Sequence, residues 1–377
     1  MIIAINARTL RAVPHDGIGW FTLEVVRGIV SAHPEHRFVL ICDRKYDALP
    51  VDGANVEYIT IPLRTVHPLL WYNWHEILLP GVLRKLGAGL FIAPDGMMPL
   101  RTRVPSIPVL HDLNHEHRPG DIPRGERIYY SHFFPRFARK AARVATVSGF
   151  SADDISKTYG ISRDRIDVVP NGVADIFSPP LPGEAEATRR DYTGGSPYFL
   201  FVSNFSPRKN VEAVIRAFNL FRASHSSDHV LLLAGRRLYL TRDIDRAVAS
   251  SPYSRDILFT GSVTRDVLRR LYGGAEALTF VPWFEGFGIP VIEAQRCGTP
   301  CILSDSSSLP EVSGGAALCV SPADAGAIAE AMARLVSDGA LRRRLAAEGR
   351  INSLRYTWEN TASAMWDCIT RATGERR

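Results

Sequence analysis

Short apolar runs alternate with stretches of helical periodicity along the whole chain. In the first half, Ile2–Asn6, Phe38–Cys42, Ile107–His111 and Val144–Val147 are compact β-branched or apolar runs bounded by polar and turn residues, the signature of buried strands. In the second half the same signature marks Tyr198–Ser203, Val230–Ala234, Ile257–Thr260, Ala277–Val281 and Pro300–Leu303. Between them, Ile18–Ser31, Ser151–Tyr159, Val211–Ala223 and Ala325–Leu335 repeat apolar residues at helical spacing. Continuous rather than alternating apolar strands, separated by amphipathic helices, predict parallel sheets covered on both faces: the α/β class.

One stretch breaks the pattern. Ser178-Pro179-Pro180-Leu181-Pro182-Gly183, then Glu184–Arg190 and Gly194-Gly195-Ser196-Pro197, reads as a linker, with a new strand opening at Tyr198. It predicts two α/β halves, residues 1–180 and 181–355, with a cleft between them. Ligands of such sheets bind beyond the carboxyl ends of strands, so motifs that directly follow strands carry the most information.

Composition agrees with two domains: 377 residues, 46% hydrophobic and 22% charged, which excludes a disordered chain, a collagen-like repeat and a disulfide scaffold. No apolar run reaches the roughly 18–20 residues of a membrane-spanning helix. The opening residues lack a basic leader with a long apolar stretch, so a cytoplasmic location is expected. Lys and Arg total 45 against 39 Asp and Glu, a formal +6 that suits phosphate-bearing ligands or an anionic membrane surface. Cys42, Cys297, Cys301, Cys319 and Cys368 are scattered and lack zinc-site spacing, and are expected to be buried reduced thiols.

The strongest local signal is the run from Phe280 to Ala294, in which Glu285-Gly286-Phe287-Gly288-Ile289-Pro290 joins a strand to a helix. Pro290 suits the first helical position, Glu285 then falls in the loop and Glu293 in the first helical turn. Gly286 and Gly288 let backbone approach a ligand, and free amides at the helix start favour an anion. Amides for phosphate and carboxylates for hydroxyls fit a sugar joined to a diphosphate; the same spacing also fits a glycine loop with a solvated Glu285 and a helix-capping Glu293. A second signal follows the strand at Tyr198: Pro207-Arg208-Lys209-Asn210, adjacent cations before a helix, with Asn210 as its expected N-cap. A departing nucleoside diphosphate requires a metal ion or fixed Lys and Arg groups, and this pair is either such a group or a solvated surface feature. Gly17-Ile18-Gly19, after Asp16, reads as a small-residue loop over phosphate, and His111-Asp112 ends a strand at the rim of the same cleft. Asp243-Ile244-Asp245 has the form of a metal-binding pair but lies in a polar helical stretch and reads as a solvated face. The segment Arg124–Arg143 interleaves arginines with Tyr129, Tyr130, Phe133, Phe134 and Phe137. With Trp71, Tyr72 and Trp74 it suits either a membrane-bound, pyrophosphate-linked acceptor or one buried helix face opposite a charged one. No nucleic-acid motif accompanies it.

Taken in order, Asp16–Thr22, Val109–Leu113, Val144–Asp154, Val169–Val173, Pro207–Asn210, Leu231–Gly235, Glu285–Glu293, Gly298–Pro300 and Ser307–Val312 make the chain resemble retaining glycosyltransferases of family four. The resemblance implies the GT-B fold, two Rossmann-like α/β/α domains facing a central cleft. It also implies a C-terminal helix within 356–377 that crosses back to the first domain. It places Glu285 near the transferred sugar, Glu293 on the nucleotide ribose, and Arg208 and Lys209 on the donor diphosphate. Gly286, Phe287, Gly288 and Ile289 would line that donor site, with no metal needed. Gly17 and Gly19 would border the diphosphate, and His111 would contact the sugar. Ser307 and Leu309 would cradle phosphate or nucleoside. Where many relatives carry Gly-Arg this chain has Ser203-Asn204, so a diphosphate contact is either missing or supplied by Arg208, Arg236 or Arg237.

The expected activity is a metal-independent hexosyltransferase acting with retention, with GDP-mannose as the first donor and no cofactor. The acceptor would be a saccharide or a polyprenyl-diphosphate-linked oligosaccharide in bacterial polysaccharide synthesis, at the inner face of the plasma membrane. Its resemblance to bacterial polysaccharide mannosyltransferases is strongest in the His111-Asp112-Leu113 and Pro207–Asn210 segments. Two rival readings use the same frame: a nucleotide-sugar epimerase or hydrolase, and a catalytically silent partner in an assembly complex.

Overall fold

The computed structural model describes residues 1–10, 17–46, 50–238 and 241–374. The chain forms two compact units, Met1–Gly172 with Thr357–Arg377, and Val173–Tyr356. The division therefore falls at Gly172–Val173 rather than at 180. The proline-rich stretch lies inside the second unit, where Glu184–Thr193 is a helix and not linker. Glu184 holds it in place by accepting from the Leu181 amide (2.9 Å) and pairing with Arg269.

In the first unit a five-stranded sheet has the order β3-β2-β1-β4-β5. Its strands are β1 (Ile2–Asn6), β2 (Arg37–Cys42), β3 (Val56–Thr60), β4 (Leu90–Ala93) and β5 (Ser106–Pro108), paired in parallel throughout. A parallel bridge from Val109 to Ala145 continues it toward β6 (Val144–Thr146), which pairs with β7 (Ile166–Val168). Central strands are buried on both faces, which is why β1 and β4 read as unbroken apolar runs. The strand expected over Ile107–His111 ends at Pro108, leaving His111 in the following loop. The C-terminal helix Trp358–Thr373 belongs to this unit; residues 375–377 lie outside the described residues.

The second unit has a six-stranded parallel sheet ordered β10-β9-β8-β11-β12-β13. Its strands are β8 (Tyr198–Val202), β9 (Val230–Ala234), β10 (Ile257–Gly261), β11 (Ala277–Phe280), β12 (Cys301–Ser304) and β13 (Leu318–Val320). The helix Val211–Ser224 buries Val211, Val214, Ile215, Phe218 and Phe221, a stripe at the spacing its sequence predicts. In both units the strand order reverses beside the first strand, between β1 and β4 and between β8 and β11. Loops leaving adjacent strand ends in opposite directions open a crevice there, where open α/β sheets bind ligands.

Candidate functional site

At the second unit's reversal point, the loop after β8 meets the loop after β11. Pro207–Lys209 is a single 3-10 turn, and Asn210 closes it at φ 57, in the left-handed region. Asn210 does not cap the following helix as its sequence position suggests. Its side-chain amide donates to the carbonyls of Val281 (2.9 Å) and Pro322 (2.8 Å), tying the turn to the end of β11. The Trp283 amide adds a bond to the Arg208 carbonyl at 2.9 Å. So fixed, Arg208 and Lys209 converge on one oxygen: Glu285 Oε2 accepts from Arg208 Nη1 at 2.8 Å and from Lys209 Nζ at 2.6 Å. Arg208 Nη1 also reaches the Phe284 carbonyl (3.0 Å), and Lys209 Nζ stands 5.3 Å from the Phe280 ring centroid.

The three side chains are only 12–21% exposed, so their charges interact through a poorly screened medium. A guanidinium and an ammonium thus share one anionic oxygen. Glu285 is itself clamped by its backbone: its amide donates to Ser307 Oγ (3.1 Å), and its carbonyl accepts from Ser308 Oγ (2.8 Å). Ser307 adopts φ 56 to do so, a conformation uncommon outside glycine. These serine clamps are absent from the sequence pattern around Glu285 because they come from the segment after β12.

Gly286, Phe287 and Gly288 are buried, and the Phe287 ring meets Tyr356 edge-on at 5.4 Å. Gly288 has φ 93, and a Cβ there would lie 2.5 Å from Leu309 Cδ2; only glycine fits this entry into the helix Ile289–Arg296. Pro290 sits at its start. Glu293, expected in the first turn, lies beyond it and is buried, 9% exposed, accepting from the Tyr272 hydroxyl at 2.9 Å. Burial pushes its carboxyl up to about 7, against the opposing pull of the Tyr272 hydrogen bond and of Arg265. Tyr272 is a site residue that pattern reading misses, since nothing in the helix Arg265–Gly274 marks it out from other core aromatics.

Of the three arginines that stand in for the missing Gly-Arg contact, only Arg208 reaches Glu285. Arg237 pairs with Asp245 and lies over Phe259 (5.1 Å), and Arg236 is exposed. Asp243 and Asp245 are solvated on the helix Arg242–Ala249, with salt bridges to Arg246 and Arg237. No group of three or more His, Cys, Asp or Glu with metal-holding geometry occurs among the described residues. Four cysteines are buried thiols; Cys319 is exposed, contrary to expectation.

In the first unit, His111 Nε2 lies 2.8 Å from the Pro94 carbonyl, which only accepts, so that nitrogen carries the proton. The His111 ring packs edge-on against Phe21 (5.0 Å) from the first helix, Gly17–Ala32. Gly17 and Gly19 are thus helical rather than loop residues: Gly17 is exposed, Gly19 buried. Asp16 lies outside the described residues. Beside this unit's reversal point, Asn6 ends β1 and Asp95 lies just after β4. Asn6 Nδ2 donates to Asp95 Oδ1 (2.9 Å), and buried Arg8 pairs with Asp95 and faces Trp74. Sequence reading missed this cluster, whose one signal is polar residues directly after apolar strands.

Two family models match adjoining parts of the chain: Glycosyltransferase Family 4 over residues 15–176 and Glycosyl transferases group 1 over 186–351. The O-antigen chain mannosyltransferase B of Escherichia coli is 26% identical over 92% of this chain and 94% of its own length. A D-inositol 3-phosphate glycosyltransferase of Xylanimonas cellulosilytica is 30% identical over 73% of this chain and 68% of its own. Among solved structures, sucrose-phosphate synthase from Thermosynechococcus elongatus has a TM-score of 0.81 at 18% identity, covering 100% of this chain and 99% of that one. Anabaena HepE in complex with UDP and glucose has a TM-score of 0.75 at 16% identity, covering 98% and 99%. With both sheets in Rossmann order and both domain models matched in sequence, the chain belongs to glycosyltransferase family 4 and has the GT-B fold.

Proposed function

We propose that the protein is a retaining hexosyltransferase that uses a nucleoside-diphosphate sugar, with GDP-mannose as donor, and needs no metal ion. The acceptor is a saccharide or a lipid-linked oligosaccharide of bacterial polysaccharide synthesis, met at the inner face of the plasma membrane. The observation that carries this reading is the convergence of Arg208 and Lys209 on a single carboxylate oxygen at the second unit's reversal point. Two fixed cations stabilise the charge that develops on a departing diphosphate. The amides that open the helix Ile289–Arg296, uncovered by Gly288, suit the same phosphates. Glu285, released from the cations when diphosphate takes its place, accepts from sugar hydroxyls, and Glu293 accepts from the ribose. His111, with Nε2 spent on Pro94, meets the sugar through the rest of its ring, while Gly17 and Gly19 allow a close backbone approach.

In this reading Glu285, once diphosphate has taken its place on the cations, is occupied by sugar hydroxyls and is not used as a nucleophile. The reading therefore has donor and acceptor reacting on one face, with the leaving phosphate oxygen taking the acceptor proton, so that the bond made and the bond broken lie on the same side. Catalysis comes from positioning and charge stabilisation. The mannosyltransferase relative supports the sugar, and the HepE complex supports a nucleotide-sugar donor in general.

Lys209→Ala is expected to lower kcat/KM by about 2–4 kcal/mol, roughly thirty- to a thousandfold, measured at a temperature where the variant is fully folded. Turnover unchanged in that variant would remove Lys209 from the mechanism. A thermal-shift panel of GDP, UDP and ADP identifies the base, the expected stabilising nucleotide being GDP. Strict dependence of turnover on added divalent cations would overturn the metal-independent reading.

A further inference from the structure

We infer that the first unit carries a docking surface for an anionic phospholipid bilayer, made by residues 64–78 and the outer stripe of the helix Arg124–Lys140. The inward stripe of that helix is accounted for: Tyr129, Phe134, Phe137 and Ala138 are buried. Trp71 stacks on Tyr130 (5.7 Å) and meets Tyr129 edge-on (5.3 Å), while Tyr72 packs on Phe133 (6.0 Å). With its aromatics turned inward, the segment 64–78 leaves aliphatic side chains in water. Val66 and Leu69 are each 69% exposed, and Ile77 is 49% exposed. On the helix, Ile128 is 59% exposed, one turn beyond exposed Arg124. The two elements share this surface: the Cβ position of exposed Gly125 lies 3.7 Å from Pro68, which directly precedes Leu69.

The charge around these aliphatics is of one sign. Arg64, Arg124, Arg127, Arg136 and Arg139 make no salt bridge among the described residues, whereas Arg8, Arg143 and Arg163 of the same unit are all paired. The carboxylates of these segments do not offset them. Glu76 is buried, accepts from the Leu100 amide at 2.7 Å and faces Arg101 and Lys140 at the edge of this surface, and Glu126 is half-buried.

Unpaired arginines would repel a second copy meeting the same face, and the centres of protein interfaces are depleted of charge. A soluble polyanion would use the arginines and leave the aliphatics in water. A bilayer surface uses both, with aliphatic tips at the acyl boundary and guanidinium groups among lipid phosphates. This deepens the lipid-linked acceptor reading and rests on it for its purpose, but the test uses neither donor nor acceptor.

The test is co-sedimentation of the full chain with vesicles of phosphatidylcholine alone, or with about one-third phosphatidylglycerol, at low and high salt. Wild-type protein should pellet with the anionic vesicles and be released by salt. Arg124→Gln/Arg127→Gln should weaken partitioning roughly thirtyfold, and Leu69→Ser/Ile128→Ser should weaken it at every salt concentration. All four positions are at least partly solvent-exposed, and an unchanged thermal midpoint confirms that each variant is folded. Equal pelleting of wild type and both variants would overturn the assignment. So would no pelleting, a concentration-dependent dimer lost in the variants, or equal release by inorganic phosphate and by sodium chloride of matched ionic strength with no dependence on the aliphatic pair. Transfer to a water-soluble saccharide acceptor separates the two readings: vesicle binding without transfer leaves the surface standing and removes the activity, and the converse removes only the surface.

Discussion

A carboxyl group buried beside a tyrosine hydroxyl makes Glu293 costly to the folded chain unless a ligand uses it. With its folded value near 7 and an unfolded value near 4.5, the native state holds a proton that the unfolded chain releases. Stability therefore falls as pH rises through that window, by an amount on the order of 3 kcal/mol once both forms are ionised. Glu293→Gln keeps an acceptor for Tyr272 and removes the charge. It should raise the melting temperature of the nucleotide-free protein at pH 8, with little gain at pH 5, and weaken nucleotide affinity at pH 8. Thermal scans and titration calorimetry at the two pH values check this; an equal gain at both would mean that ionisation of Glu293 is not the cost. The sequence marks Glu293 through its spacing from Glu285, but it does not reveal the hydroxyl opposite, because Tyr272 arrives from a different helix. The same holds for Ser307, whose clamp on Glu285 depends on a backbone conformation rather than on local periodicity.

Elements were legible where burial is one-sided or complete, and obscure where it is partial or the run is short. β1, β8, β9 and β11 are continuous apolar runs in the core of their sheets and stand within a residue of their expected bounds. β3 escaped notice as a sheet edge of mixed polarity, half-exposed along its length, and β13 and the fully buried β4 because runs of three and four residues are too short to stand out. Glu184–Thr193 was lost to the prolines and glycines on either side, although its last turn and Gly194 form an ordinary left-handed helix stop. Asn210 joins two elements that local reading keeps apart. Asn210→Ala leaves the Val281 and Pro322 carbonyls without that donor and forces alanine into the left-handed region, a loss of about 2–4 kcal/mol in chemical denaturation. Asn210→Gly loses the same hydrogen bonds but tolerates φ 57, and should recover about 1 kcal/mol of it. Both variants should reduce activity more than stability alone explains, because the turn they loosen carries Arg208 and Lys209. Activity that survives Asn210→Ala at a temperature where the chain is fully folded would show that the turn holds its cations without this tether.

At the scale of the molecule, the chain leaves its first unit at Gly172, builds the whole of the second, and returns at Thr357 to finish the first. The returning helix Trp358–Thr373 buries Thr361, Ala362, Met365, Cys368 and Ile369 and crosses the helix Gly17–Ala32 at its closest where Gly28 faces Ala362. A Cβ on Gly28 would stand 2.4 Å from that of Ala362, a separation two helices reach only when one side is glycine. The pair explains why a helix interior tolerates Gly28 at its usual cost of about 1 kcal/mol relative to alanine. Here Gly28→Ala should invert that preference and destabilise by about 1–3 kcal/mol, since the added methyl overpacks the crossing. The damage is confined to the first unit, where His33 also stacks on Trp366 at 3.4 Å. On the proposed reading nucleotide binds through groups of the second, so the folded variant should keep its GDP affinity within about twofold while its thermal midpoint drops by several degrees. Ala362→Gly in the same chain should restore most of the loss by returning the space, less the helix cost of a second glycine. A Gly28→Ala protein as stable as wild type would mean that the two helices part without penalty, and that the return of the chain is not what completes the first unit.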